Sequence, residues 1–332
     1  MRDHGGNLDA ARARFGGEGW IDLSTGINRV PYPLPPLPAE AWTALPTASA
    51  RAALLQAAAA AYRTTAPMVA LAGAQAAIQL LPQVVQGRHA RVLAPTYNEH
   101  AACLAAAGWQ VAQVADAADL AGADIAVVVN PNNPDGRALP PEALLALAGQ
   151  VGLLVVDESF ADPVPDLSVA PWAGAGVDQG RLLVLRSFGK FYGLAGVRLG
   201  FALGDGAVVA ALDALSGPWP VSGPALAVGA QALADGAWAA ATSARLAAEG
   251  PRIDALAAGF GWQLAGGTAL FRLYDTDDAE AAQAHLARQR IWSRIFPWSP
   301  RLIRLGLPGD AAEWQRLAEA LAPPTPASRA SG

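Results

Sequence analysis

Apolar residues fall into two alternating patterns along this chain. Short unbroken runs, MVALA (68–72), ARVLA (90–94), WQVAQV (109–114), DIAVVV (124–129), GLLVV (152–156), RLLVLRS (181–187) and VRLGFAL (197–203), have the length of strands. Between them RAALLQAAAAAY, GAQAAIQLL, NEHAACLAAA and PPEALLALAG carry helical spacing. Strand and helix in alternation predict an α/β fold, with a mostly parallel sheet between helices. Pro82 lies inside the second helical stretch and is expected to kink or shorten it.

From about residue 206 the pattern changes. GDGAVVAALDAL and the long PALAVGAQALADGAWAAATSARLAAEG read as helix. WQLA, TALFRL and RLIRLGL then read as strands of a separate sheet, with DAEAAQAHLARQR and DAAEWQRLAEAL as its helices. The expected organisation is an N-terminal arm over 1–29 packing with the small domain, a large domain over 30–215, a small α+β domain over 216–322 and a flexible tail over 323–332. A proline-rich connector occupies 20–40.

The chain of 332 residues is 53% hydrophobic and 15% charged, enough for a sizeable core, and its net charge of −5 argues against a general nucleic-acid binder. Cys103 is the single cysteine, so no internal disulfide forms, and His4, His89, His100 and His285 have no metal-ligand spacing. No metal is expected. The N-terminal stretch lacks an apolar segment of the secretory type, and no apolar run is long enough for a membrane span. The reading is a soluble cytoplasmic protein with no membrane partner.

One residue stands out against this background. Among 23 lysines and arginines, Lys190 is the one lysine. Arginine replaces lysine as a solvated charge but not as a nucleophile, because guanidinium stays protonated while a desolvated amine can lose its proton. Lys190 ends the third of three segments that follow predicted strands: NPNNPDG (130–136), DES (157–159) and SFGK (187–190). Open α/β sheets bind ligands at such strand ends. Together the segments supply an amide, a carboxylate and an amine, the groups that a pyridoxal phosphate site requires.

PNNPDG, VVDES and SFGKFYGLAGVRLG, in this order and at these separations, resemble the class I/II aminotransferase family. The resemblance covers nearly the whole chain. It implies a fold-type I pyridoxal-phosphate-dependent transferase acting as a homodimer with pyridoxal 5'-phosphate. On it, Lys190 bonds the cofactor's aldehyde and moves protons, Asp157 pairs with the pyridine nitrogen, and Asn133 donates to the ring 3-oxygen. Ala74 and Gln75, in AGAQAAIQ, bring backbone amides to the phosphate at a helix start, joined by Ser187 and Arg198. Tyr97, in PTYNEH, stacks on the pyridine ring. Three positions depart from the family's pattern: Phe160 replaces a common tyrosine, Gly189 replaces a serine before the lysine, and Leu45-Pro46 replaces a Tyr-Pro.

The small domain contributes Arg304, matching the arginine that forks onto the substrate carboxylate, and Arg294, matching one that faces a distal phosphate. DHGGNLDAARARFG followed by WIDLSTGIN resembles the threonine-phosphate decarboxylase branch of cobalamin biosynthesis. That branch would place His4 and Asn28 near the substrate phosphate or the site entrance; Arg137, after the NPNNPDG turn, is expected to add positive charge. It implies decarboxylation of O-phospho-L-threonine to (R)-1-amino-2-propanol phosphate. Two alternatives stay open at this point. One is an aminotransferase for histidinol phosphate or a similar phosphorylated amino acid. The other is non-enzymatic use of the fold as a regulator or scaffold.

Overall fold

The structure is a computed structural model that describes residues 4–34, 36–174 and 181–322. The expected tail at 323–332 lies outside the described residues. The chain divides into two compact units, residues 31–244 and residues 1–30 with 245–332.

The 31–244 unit holds a seven-stranded sheet in the order Met68–Leu71, Gly200–Gly204, Leu182–Ser187, Leu154–Asp157, Ile125–Val129, His89–Leu93, Gln110–Val114. All neighbours run parallel except around Gly200–Gly204, which is antiparallel to both of its partners. The Ile125–Val129 and Leu154–Asp157 strands are buried at every position, as strands covered on both faces should be. Ile78 and Leu81 of the Ala74–Val84 helix pack with Val92, Val127, Val155 and Leu183 of the sheet in one core cluster. Because the central strands are parallel, their C-terminal ends lie along one edge. Asp157 ends its strand opposite Val129 and Leu185, and Ser187 ends the next.

Several boundaries differ from the sequence reading. The last strand begins at Gly200 rather than 197, because Ala195–Val197 forms a 3-10 turn and Arg198 takes a left-handed conformation at φ 55°. The helix holding Pro82 is not cut there and runs to Val84; Pro82 sits in its last turn, where its carbonyl accepts from Trp109 Nε1 at 3.2 Å. The stretch read as one helix from 224 is two, Gly223–Ala234 and Gly236–Gly259, with Asp235 between them accepting from Trp238 N at 2.9 Å.

The division between units also falls at 244/245, inside helix Gly236–Gly259, not at 215/216. Packing explains the difference. Helix Gly223–Ala234 lies against helix Ala48–Ala61 of the large unit, and a Cβ on Gly229 would come within 2.8 Å of Leu54 Cδ1. A side chain would hold the helices apart.

The other unit is built on a four-stranded antiparallel sheet in the order Arg294–Phe296, Ser299–Gly306, Phe271–Asp275, Gln263–Thr268. Helices Ala279–Arg288 and Ala311–Ala320 belong to it. So does the N-terminal segment, which begins with helix Leu8–Phe15, capped by Asn7. Its Ile21–Asp22 strand pairs in parallel with Ile291–Trp292, and Arg29 is ion-paired with Glu313.

Candidate active site

In the 31–244 unit, Ala74, Gln75, Tyr97, Asn133, Asp157, Ser187, Lys190 and Arg198 all line one cavity of about 130 Å³. Residues more than a hundred apart in the chain meet there because the strand ends converge. Lys190, half-buried, sits in the single turn Phe188–Phe191 directly after its strand. Phe160 lies beside it, with the Lys190 Nζ 5.9 Å from the ring centroid. The absence of serine at 189 has a local cause: a Cβ on Gly189 would stand 2.7 Å from Ala195 Cα.

Asp157 is 3% exposed and densely bonded. Its Oδ1 accepts from the Ser159 hydroxyl at 2.5 Å and the Ser159 amide at 3.0 Å, while Oδ2 meets His100 Nε2 at 2.8 Å. Burial pushes this carboxyl upward, but the bonds from His100 and Ser159 outweigh it and hold it below its usual value of 3.8. A depressed carboxyl stabilises the fold above its ordinary titration range, and that contribution is lost as pH falls through the lower folded value. Asp157 is therefore an anion throughout the neutral range. Sequence reading passed over His100, noting only that it lacked a metal-ligand partner. The available signal was its spacing three residues after Tyr97, which puts both at one helix start; their rings meet edge to face at 6.1 Å.

The cavity is also lined by the start of the Ala74–Val84 helix, which follows Gly73, φ 81°, with no side chain capping its first turn. Gly200 allows its strand to come close to this turn, since a Cβ there would lie 2.3 Å from Ala74 N. A Cβ on Gly73 would lie 2.8 Å from Arg198 Nη2. Backbone amides at a helix start, the Ser187 hydroxyl and a guanidinium form a donor set suited to a phosphate. With an amine, a buried carboxylate and an aromatic ring on the same cavity, these residues fit pyridoxal phosphate. The Gly73→Ala protein is expected to bind that cofactor about 10-fold more weakly, since the left-handed backbone is strained and Arg198 is displaced. Titration of the apoprotein by fluorescence checks this.

Asn133 faces the cavity, whereas its neighbour Asn132 is structural. Asn132 Nδ2 donates to Pro95 O at 2.9 Å and Asp135 Oδ1 at 2.7 Å, and its Oδ1 accepts from Thr96 at 2.5 Å. Arg137 also turns to backbone, its guanidinium reaching Ala115 O at 3.4 Å and Ala94 O at 3.5 Å. Behind the strand ends, buried Arg186 bridges Glu158 and Asp162, each at 2.8 Å, over the Tyr62 ring.

The remaining residues named from sequence lie in the other unit. Arg294 and Arg304 are direct cross-strand partners, which puts both side chains on one face of the sheet. Arg304 is buried, its Nη2 donating to Ser24 O at 2.7 Å and its guanidinium 4.8 Å from the Phe271 ring centroid. Burial, and then the charge of Arg294, lowers its affinity for its proton, yet a guanidinium stays cationic. Asn28 is buried, and its Oδ1 accepts from Val30 N at 3.1 Å and Arg245 Nη2 at 2.7 Å, which ties the start of the chain to helix Gly236–Gly259. His4 is exposed. Among the described residues no cluster of ligating side chains could hold a metal ion, and no helix is long and apolar enough to cross a membrane.

The family model for aminotransferase class I and II matches residues 39–321. The chain belongs to the class I and II aminotransferase family. Two curated relatives of this aminotransferase family share almost the full length. A threonine-phosphate decarboxylase of Sinorhizobium is 45% identical over 96% of this chain and 97% of its own. Another, from Pseudomonas aeruginosa, is 43% identical over 97% of each. Among solved structures, the histidinol-phosphate aminotransferase of Sinorhizobium meliloti, in complex with pyridoxal-5'-phosphate, aligns with a TM-score of 0.78. It covers 94% of this chain and 92% of its own, at 24% identity, a likeness of fold.

Proposed function

We propose that this protein is a pyridoxal-phosphate-dependent carboxy-lyase converting O-phospho-L-threonine to (R)-1-amino-2-propanol phosphate and carbon dioxide, which serves the aminopropanol linker of cobalamin. The observation that carries the substrate is the 43–45% identity, over nearly the whole chain, to relatives named for this reaction. The cavity around Lys190 supports the cofactor. Bound there, pyridoxal phosphate withdraws electrons from the substrate's Cα.

The chain's own groups then have definite tasks. Lys190 is the amine that bonds the cofactor's aldehyde, and its Nζ is the proton carrier at Cα. Asp157, anionic and fixed by His100 and Ser159, keeps the pyridine nitrogen cationic. Asn133 holds the ring 3-oxygen. Tyr97 offers its ring for stacking, and Ala74, Gln75, Ser187 and Arg198 hold the phosphate. Arg304 takes the substrate carboxylate and Arg294 its phosphate, a division supported by two guanidinium groups on one sheet face. His4 and Asn28 complete the substrate's surroundings. Phe160, in place of a phenol, leaves the 3-oxygen with one donor fewer.

The protein acts in the cytoplasm as a homodimer. Support for the dimer comes from exposed Leu45 and from Trp219, 53% exposed, which lines a second cavity of about 240 Å³ with Pro46, Arg51 and Leu226.

Incubation with cofactor and phosphothreonine, followed by mass analysis, is expected to yield the amino-propanol phosphate and carbon dioxide without added 2-oxo acid. Turnover that depends on a 2-oxo acid acceptor would overturn this reading in favour of amino transfer.

A further inference from the structure

The PTYNEH segment carries a buried carboxylate, Glu99, that the proposed chemistry does not use. Gln75 stands in the first turn of helix Ala74–Val84 and lines the cavity together with Tyr97. Its side-chain amide is held at both ends. Nε2 donates to Glu99 Oε2 at 3.1 Å, and Oε1 accepts from the Tyr97 hydroxyl at 3.1 Å. Chemistry sets the direction of this chain. A carboxylate can only accept, so the amide NH2 must face Glu99 and the carbonyl oxygen must face Tyr97. The phenol is therefore the donor.

Other contacts agree with this direction. Burial, reinforced by the charges of Glu99 and Asp157, pushes Tyr97 up to about 12, so its proton stays in place. Glu99 is itself buried, which protects the anchoring bond from competition with water. The Tyr97 ring is gripped a second time by His100, edge to face. Its tip and its flank are both fixed.

We infer that Gln75, oriented by Glu99, is a positioning residue that locks the Tyr97 ring as a preformed stacking surface for the cofactor. The inference rests on the proposed cofactor reading. Gln75 then has two separate duties: its backbone serves the phosphate, while its side chain is diverted to the ring. A ring ordered before the cofactor arrives spares the rotamer entropy otherwise lost on binding.

The test compares apoproteins of the wild type, Gln75→Met, Tyr97→Phe and the double variant, titrated with pyridoxal phosphate. The visible circular dichroism of the bound cofactor reports ring orientation. Each single change is expected to weaken binding about 5-fold, the scale of one hydrogen bond, and to diminish the dichroism. The double variant should lose no more than the worse single, because both changes cut the same link. Glu99→Leu should diminish the dichroism in the same way. Wild-type affinity and dichroism in Gln75→Met, or losses that multiply in the double variant, would overturn the inference. Tyr97→Phe removes one oxygen and carries the test should Gln75→Met fold poorly. A wild-type protein that binds no pyridoxal phosphate would instead sink the cofactor reading.

Discussion

Lys190→Ala is expected to abolish covalent attachment of the cofactor and to lower turnover about 10³-fold, within the range for loss of a positioned acid-base group. Borohydride reduction of the wild-type holoprotein should label the peptide containing residue 190, and no other. In the variant that label disappears, together with the visible absorption of the bound aldehyde. Lys190→Arg should fare no better, since a guanidinium keeps the charge but not the nucleophile. This is the experimental form of the composition argument: a chain that uses arginine at every other basic position keeps its one lysine at the end of a buried strand. Unchanged absorption in Lys190→Ala would remove the central assignment.

Asp157→Asn should separate attachment from turnover. The amide keeps the shape of the carboxylate, so the fold and the lysine bond persist. The charge proposed to keep the pyridine nitrogen protonated is lost, and His100 loses its anionic partner. Removing one member of a buried hydrogen-bonded charge pair costs about 2–5 kcal/mol, and a loss of that size in the transition state is a fall in kcat of about 30-fold to several thousand-fold. In the wild type, the depressed Asp157 carboxyl predicts that cofactor retention persists as pH falls through the ordinary carboxylate value and is lost only at the lower folded one. The variant should show no such edge. A kcat within a few-fold of wild type would show that the ring nitrogen needs no counter-charge here.

Much of this arrangement was legible in the sequence because it depends on local order. Strand-sized apolar runs ended at chemical motifs, and parallel strands place their C-terminal ends along one edge. The three segments after 129, 156 and 186 therefore had to lie near one another once the sheet formed. Other features depended on what a residue meets across space. Nothing in the SFGK string says that Gly189 is forced by Ala195, and nothing in GAQAA says that Gln75 reaches Glu99 and Tyr97. Pro82 is a local case. A rule about helix interiors predicted a kink or a shortening at Pro82, and the helix continues only two residues beyond it, to Val84.

The boundary at 244/245 has the same origin. Apolar periodicity reveals that 223–234 is helical but not which core receives it; the small side of Gly229 against Leu54 decided that. The sequence alone determined the alternating α/β order and the placing of Asn133, Asp157 and Lys190 after successive strand-sized runs, since each follows from residue type and neighbours in the chain. Only tertiary structure decided that Asp157 is held ionised by His100 and Ser159, that Arg294 and Arg304 share a face, and where one unit ends. Charge state, register and packing are set by groups distant in sequence, and a linear pattern carries no record of those distances.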